Sequence, residues 1–299
     1  MFKPFSLALM ITLIGGSSLA QAEIIHNERS LYRNIIVEDK GDVRCLKFSV
    51  KRVKSNQSCM YKSDPKRLVF NYTKLLFSGL LMIDKPEKIL IVGLGGGTMS
   101  NALHQLYPHA EIDNIEIDPA VIKVARKYFG FFENNSVRSV VQDGRIFVKR
   151  ASMKNQKYDW IILDAFNGDY IPEHLMTREF LSEVKSLLSE QGVLTANTFS
   201  ISKLYAHESA TYQAVFGEFF NVSNSNNSNR VILTTANGLP PAEEILRRVK
   251  TLGDNLSDYG VDIQALEASM TSTADVKDWP ENTRLLTDQY SPANLLKLN

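Results

Sequence analysis

The chain has 299 residues, 44% of them apolar, with 34 Lys and Arg against 33 Asp and Glu. That length allows one or two domains with a sizeable core, and the balanced charge gives no basic surface of the kind nucleic acid needs, so no nucleic-acid partner is expected. Five scattered histidines and two early cysteines show no metal-ligand spacing, and no metal site is expected.

Residues 1–22, MFKPFSLALMITLIGGSSLAQA, set Lys3 before an apolar run and end in small residues, Ala20-Gln21-Ala22. This is the layout of a secretory signal peptide, with cleavage expected after Ala22 and a periplasmic or secreted product. The alternative is an uncleaved anchor, for which the apolar run is short. No later segment is long and apolar enough to span a membrane. Without Lys3 the mature chain carries 33 charges of each sign. Export puts Cys45 and Cys59 in an oxidising compartment. A hairpin turning near 53–55 sets them roughly opposite one another, which predicts a disulfide; two buried free thiols are the alternative.

Residues 31–61 alternate apolar and polar as strands do (YRNIIVED, VRCLKFSV, SCMY), and predict a small antiparallel sheet. Residues 65–82 have helical apolar spacing, with Pro65 suited to a first turn. From Glu87 strands alternate with helices. Strands are predicted at 88–93, 111–117, 137–142, 158–164 and 192–198, and helices at 98–107, 119–129, 144–152 and 177–189. The fold class is therefore α/β, a mostly parallel sheet with helices on both faces. A helix near 205–218 follows, then strands near 219–223 and 230–235 around an Asn/Ser turn, then helices at 241–256 and 262–271. The division expected is residues 1–22 as signal peptide, 23–82 as a β-domain with its linking helix, and 83–299 as the larger domain with its tail.

The chemistry gathers at strand ends. KILIVGLGGGTMS turns on Gly93, Gly95 and Gly97, where a bare backbone lets a ligand approach. Glu116 ends the second strand, where a carboxylate can accept ribose hydroxyls. Asp143-Gly144 ends the third, in reach of an adenine amino group. Asp164 ends the fourth, beside the crevice where open α/β sheets bind ligands. Asp118 precedes Pro119 and reads first as a helix N-cap. The turn lacks a phosphate-binding lysine and the spacing of a dinucleotide fingerprint, so an S-adenosyl ligand, which has no pyrophosphate, suits it better. Tyr170, Ile171 and Pro172 read equally as a lid or as a plain connection. His174 reads first as a solvated loop residue, with reach into the site as the alternative.

GLGGGT, IEIDP, QDGR, YDWIILDAF and LLTDQYSP, in that order, resemble the spermidine synthase-like family of polyamine aminopropyltransferases over about residues 31–296. The resemblance implies a small N-terminal β-domain before a class I methyltransferase-like Rossmann domain. It implies decarboxylated S-adenosylmethionine as co-substrate and a small-molecule amine as partner, with a homodimer through the β-domain. Glu116 matches the family's ribose-binding acid, Asp143 and Gly144 its adenine contacts, and Asp164 its proposed base. Asp169 stands for a displaced second acid, Tyr32 and Tyr72 match substrate-side tyrosines, and Tyr170 is placed beside them. The chain departs from the family where GGGDGG becomes GGGTMS, so the turn offers Thr98 for a carboxylate, and where Arg33 follows Tyr32 in place of glutamine. Two alternatives stay open: methyl transfer from S-adenosylmethionine, and an exported adenosyl- or polyamine-binding protein without catalysis.

Overall fold

The computed structural model describes residues 21–50, 53–166, 170–224 and 228–292, with backbone only at 49, 50, 53 and 54. Most of the expected signal peptide, and Asp169, lie outside the described residues.

β1 (Glu23–Arg29), β2 (Asn34–Lys40), β3 (Val43–Val50) and β4 (Val53–Tyr61) form an antiparallel sheet in chain order. β1 begins ahead of the run the alternation marks out. Cys45 and Cys59 face each other directly in the β3–β4 ladder and are joined by a disulfide, with Cα atoms 4.1 Å apart. A register shift between Leu46 and Lys47 makes Gln57 the extra residue of a bulge, which bends β4 and re-aims its side chains. Ile35, Val37, Leu46 and Phe48 pack on Val121, Val124 and Phe129, so this sheet is fastened to the larger one.

The helix predicted over 65–82 is shorter than its apolar spacing suggests. α1 (Asn71–Leu76) leads into a 3-10 helix, Phe77–Leu81. The chain before it is claimed by other partners: the Leu68 N–H donates to the Tyr259 carbonyl at 3.0 Å, and Leu68 bridges to Met60. Phe70 is extended, and the helix can begin only after it.

Then come β5 (Lys88–Val92), α2 (Thr98–Leu106), β6 (Glu111–Glu116), α3 (Pro119–Tyr128), β7 (Val137–Val141), α4 (Gly144–Met153) and β8 (Tyr158–Leu163). A 3-10 turn at Glu173–Leu175 precedes α5 (Arg178–Leu187), β9 (Leu188–Phe199), α6 (Tyr205–Phe216), β10 (Phe220–Val222), β11 (Asn229–Thr235), α7 (Ala242–Leu252), α8 (Ile263–Ala268) and β12 (Met270–Ser272). The second sheet has the order β12-β10-β11-β9-β8-β5-β6-β7. The five strands from β9 to β7 are parallel, and β11, β10 and β12 extend the sheet antiparallel. Along β5 the period of two is plain: Ile89 and Ile91 enter one core layer, Leu90 and Val92 the other. The chain leaves β5 for β6 and β7, then crosses back to β8 on β5's other side. That reversal opens a crevice at the carboxyl ends of the strands.

Candidate active site

A cleft of about 680 Å³ occupies the crevice. Its floor is the strand ends, and the N-terminal sheet roofs it with Tyr32, Arg33, Phe48, Asn56 and Gln57. Of the residues singled out from sequence, Gly93, Gly95, Glu116, Asp143, Gly144, Asp164, Tyr32, Tyr72 and Tyr170 all line it.

Gly93 has φ +101°, and a Cβ there would stand 2.4 Å from the Asp164 carbonyl oxygen. No other residue fits so close to the neighbouring strand. Gly97 does not line the cleft. It caps α2 at φ +75° with the Phe131 ring against it, so its role is to start the helix. A Cβ at Gly96 would meet Ser58 Oγ at 2.8 Å, so β4 of the roof sits directly on the glycine turn.

Glu116 is buried, and its carboxylate accepts the backbone N–H groups of Leu94 (3.2 Å) and Asp118 (3.0 Å). Burial pushes its pKa above the ordinary range, against the pull of those N–H groups and of Arg33. Asp118 caps α3 through the Ala120 N–H at 3.0 Å, as its place before Pro119 predicts, and accepts Ser30 Oγ. Arg33 runs along this wall, its guanidinium 4.3 Å over the Phe48 ring and 3.3 Å from the Phe166 carbonyl oxygen.

At the far end Asp143 caps α4 through the Ile146 N–H at 3.0 Å. Its second oxygen meets His174 Nε2 at 2.8 Å. His174 is exposed, as the solvated-loop reading has it, and it also reaches the cleft, where it is bound to Asp143.

Asp164 lies half-buried at the wall between β5 and β9, and its N–H donates to the Val92 carbonyl at 2.8 Å. Asn197 Nδ2 donates to Asp164 Oδ1 at 2.8 Å, and the Tyr72 hydroxyl, which donates to the Gln57 carbonyl at 3.3 Å, lies beside the carboxyl. Burial raises the Asp164 pKa to about 7, opposed by Asn197 and then by Tyr72. Tyr72, enclosed and beside this acid, is held well above the ordinary phenol value. Asn197 and Asn229 are cleft residues that sequence reasoning missed. The available signal was an amide inside the apolar strand VLTANTF, since a buried polar group needs partners. Phe166 and Phe199, edge to face at 5.3 Å, complete an aromatic wall with Tyr72 and Tyr170. No cluster of metal-ligating side chains occurs among the described residues.

A parallel sheet centred on β5, with a glycine turn, a buried acid and a capping acid at successive strand ends, defines a class I methyltransferase-like Rossmann fold with its cleft at the carboxyl edge. A model described as Spermine/spermidine synthase domain matches residues 69–225. A polyamine aminopropyltransferase of Vibrio vulnificus is 50% identical over 293 residues, 97% of this chain and 97% of that one. The chain belongs to the spermine/spermidine synthase family. In fold it is similar to a probable spermidine synthase from Corynebacterium glutamicum, with TM-score 0.63 and 22% identity over 83% of this chain and 89% of that one. Human methyltransferase-like protein 13 in complex with SAH has TM-score 0.56 and 23% identity over 72% and 97% of the two chains.

Proposed function

We propose that this protein is an aminopropyltransferase that moves the aminopropyl group of decarboxylated S-adenosylmethionine to an amine. The observation that carries the reading is the Asp164 carboxyl in the cleft at the strand ends, held by Asn197, in a chain half identical to a polyamine aminopropyltransferase along almost its whole length. The amine nitrogen attacks the carbon beside the sulfonium, the carbon–sulfur bond breaks, and its electron pair neutralises the sulfur, leaving methylthioadenosine. The nitrogen sheds a proton, and Asp164 accepts it. A base with a pKa near the working pH is well matched to that task.

Glu116 suits the ribose hydroxyls, because its backbone-held carboxylate is fixed before ligand arrives. Asp143 and the backbone at Gly144 face the position of the adenine. Tyr32, Tyr72 and Tyr170 suit the amine side, where aromatic faces attract an ammonium. Asp169 is proposed for the same side from its sequence position alone. Support for a second reading, methyl transfer from S-adenosylmethionine, comes from the glycine turn, which has Gly96 and Thr98 and no carboxylate for the aminopropyl ammonium.

Residues 23–299, incubated with either sulfonium and a panel of di- and polyamines, are expected to release methylthioadenosine and a lengthened amine, read by mass spectrometry. S-adenosylhomocysteine in place of methylthioadenosine would establish methyl transfer, and neither product would leave a binding role. We also propose export with removal of residues 1–22, supported by the N-terminal layout and by the disulfide.

A further inference from the structure

Asn197 is 3% exposed, within the run 193–198 of β9 that is buried throughout. Both ends of its amide are engaged. Nδ2 donates to Asp164 Oδ1 at 2.8 Å, and Oδ1 accepts from Asn229 Nδ2 at 3.0 Å. In the β9–β11 ladder Asn197 stands opposite Val231 and Asn229 opposite Phe199. Asn229 is therefore the diagonal neighbour of Asn197 on the same face, within reach of an amide.

The two bonds set a direction. An Asn amide presents donors on one side and an acceptor on the other. With Asn229 donating to its oxygen, Asn197 can turn only its NH₂ toward Asp164. A rotated Asn197 would set its oxygen against the Asp164 carboxylate and its NH₂ against that of Asn229, exchanging two hydrogen bonds for two repulsions.

We propose, on the aminopropyltransferase reading, that Asn197 and Asn229 form a positioning relay that holds Asp164 as a proton acceptor facing the amine. Asn197 occupies one oxygen of Asp164, fixes the carboxyl plane and favours the ionised form. Asn229 acts on Asp164 through Asn197, by opposing the reversed amide. Among the described residues the titratable group beside Asp164 is Tyr72 from α1; Glu116 and Arg33 line the same cleft from β6 and the roof, and Asp143, Glu173 and His174 line its far end. β5 brings backbone and β9 brings the neutral amide. The relay is thus a neutral device tuning an acid that burial alone would keep protonated to higher pH.

The test compares pH profiles of kcat/KM for the parent, Asn197→Leu, Asn229→Ala and the double variant, with Asn197→Ala substituting if Asn197→Leu fails to fold. Loss of a hydrogen bond to a charged group is expected to move the Asp164 limb up by about one to two pH units in Asn197→Leu. Asn229→Ala moves it the same way by less. In the double variant the limb stays where Asn197→Leu puts it, because Asn229 has nothing left to orient. The limb set by the amine itself stays fixed in all four. Unmoved profiles in folded variants would overturn the relay, as would full additivity of the two substitutions or a change confined to KM for the amine. The pH dependence of the urea midpoint reads the same Asp164 shift without turnover. A parent that releases no methylthioadenosine thus rejects the transferase reading, while the relay is still decided.

Discussion

Below pH 3.8, the ordinary aspartate value, the Asp164 carboxyl is neutral in the folded and the unfolded chain and leaves stability unchanged. Between there and about pH 7 the unfolded chain gives up the proton while the folded one keeps it. The folded state then binds more protons, so this group's contribution falls as pH rises across the window and is constant above it. Allowing for solvent that reaches the cleft, the penalty at pH 8 is about 2 kcal/mol. Asp164→Asn removes it. The variant is expected to gain on the parent in urea midpoint at pH 8 and to match it at pH 4, while kcat falls by roughly 10²–10⁴ with the base gone. The burial-raised Glu116 and Glu208 slope the same way in both proteins, so the difference isolates Asp164. A variant no more stable at pH 8 would show that the carboxyl ionises in the fold without strain.

Helix ends carry much of the site, and they explain how far the sequence could be read. β5, β6 and β7 each run within two residues into one that permits a turn or caps the next helix, Gly93, Asp118 and Asp143, and those punctuation marks are local. Asp118 before Pro119 and Asp143 before Gly144 could be placed for that reason, and both cap the helices that follow. The stretch 65–70 could not, because Leu68 is claimed by Met60 on β4 and by the carbonyl of Tyr259, which is far away in sequence. Asn197 and Asn229 were hidden for the same reason: their meeting depends on the pairing of β9 with β11. Asp143 shows two roles on one side chain, and they separate by mutation. Asp143→Ala is expected to lose about 1 kcal/mol with the cap. Asp143→Ser, itself a good cap, is expected to restore that stability but not the affinity for methylthioadenosine, since it offers no carboxylate to His174 or to adenine. Calorimetric titration beside urea unfolding reads both quantities. Affinity restored by serine would mean that the ligand needs only an ordered start to α4.

Across the whole molecule the cleft exists because one sheet roofs the other, and the roof is a small four-stranded sheet with a modest apolar face. Its covalent tie lies close to the site. Cys59 follows Ser58, which rests on the glycine turn, and the bulge residue Gln57 accepts the Tyr72 hydroxyl on its carbonyl at 3.3 Å. The disulfide spans 14 residues. Closing a loop of that size restricts the unfolded chain by about 3 kcal/mol in the entropic picture, a large share of the stability of any domain. In a reducing compartment that contribution is lost, and β4 is held over the glycine turn by its ladder to β3, the Tyr72 hydrogen bond and packing. Export and the disulfide therefore stand together. Protein isolated from its own cells is expected to begin at Glu23 and to resist thiol labelling until it is reduced. Cys45→Ser is expected to lower the urea stability by roughly 3 kcal/mol and to weaken methylthioadenosine binding with it. Intact mass and alkylation before and after reduction decide the first point. A chain that keeps Met1–Ala22 and carries two free thiols would place the enzyme in the cytoplasm, beside the supply of its sulfonium substrate, with a roof that folds without its tie.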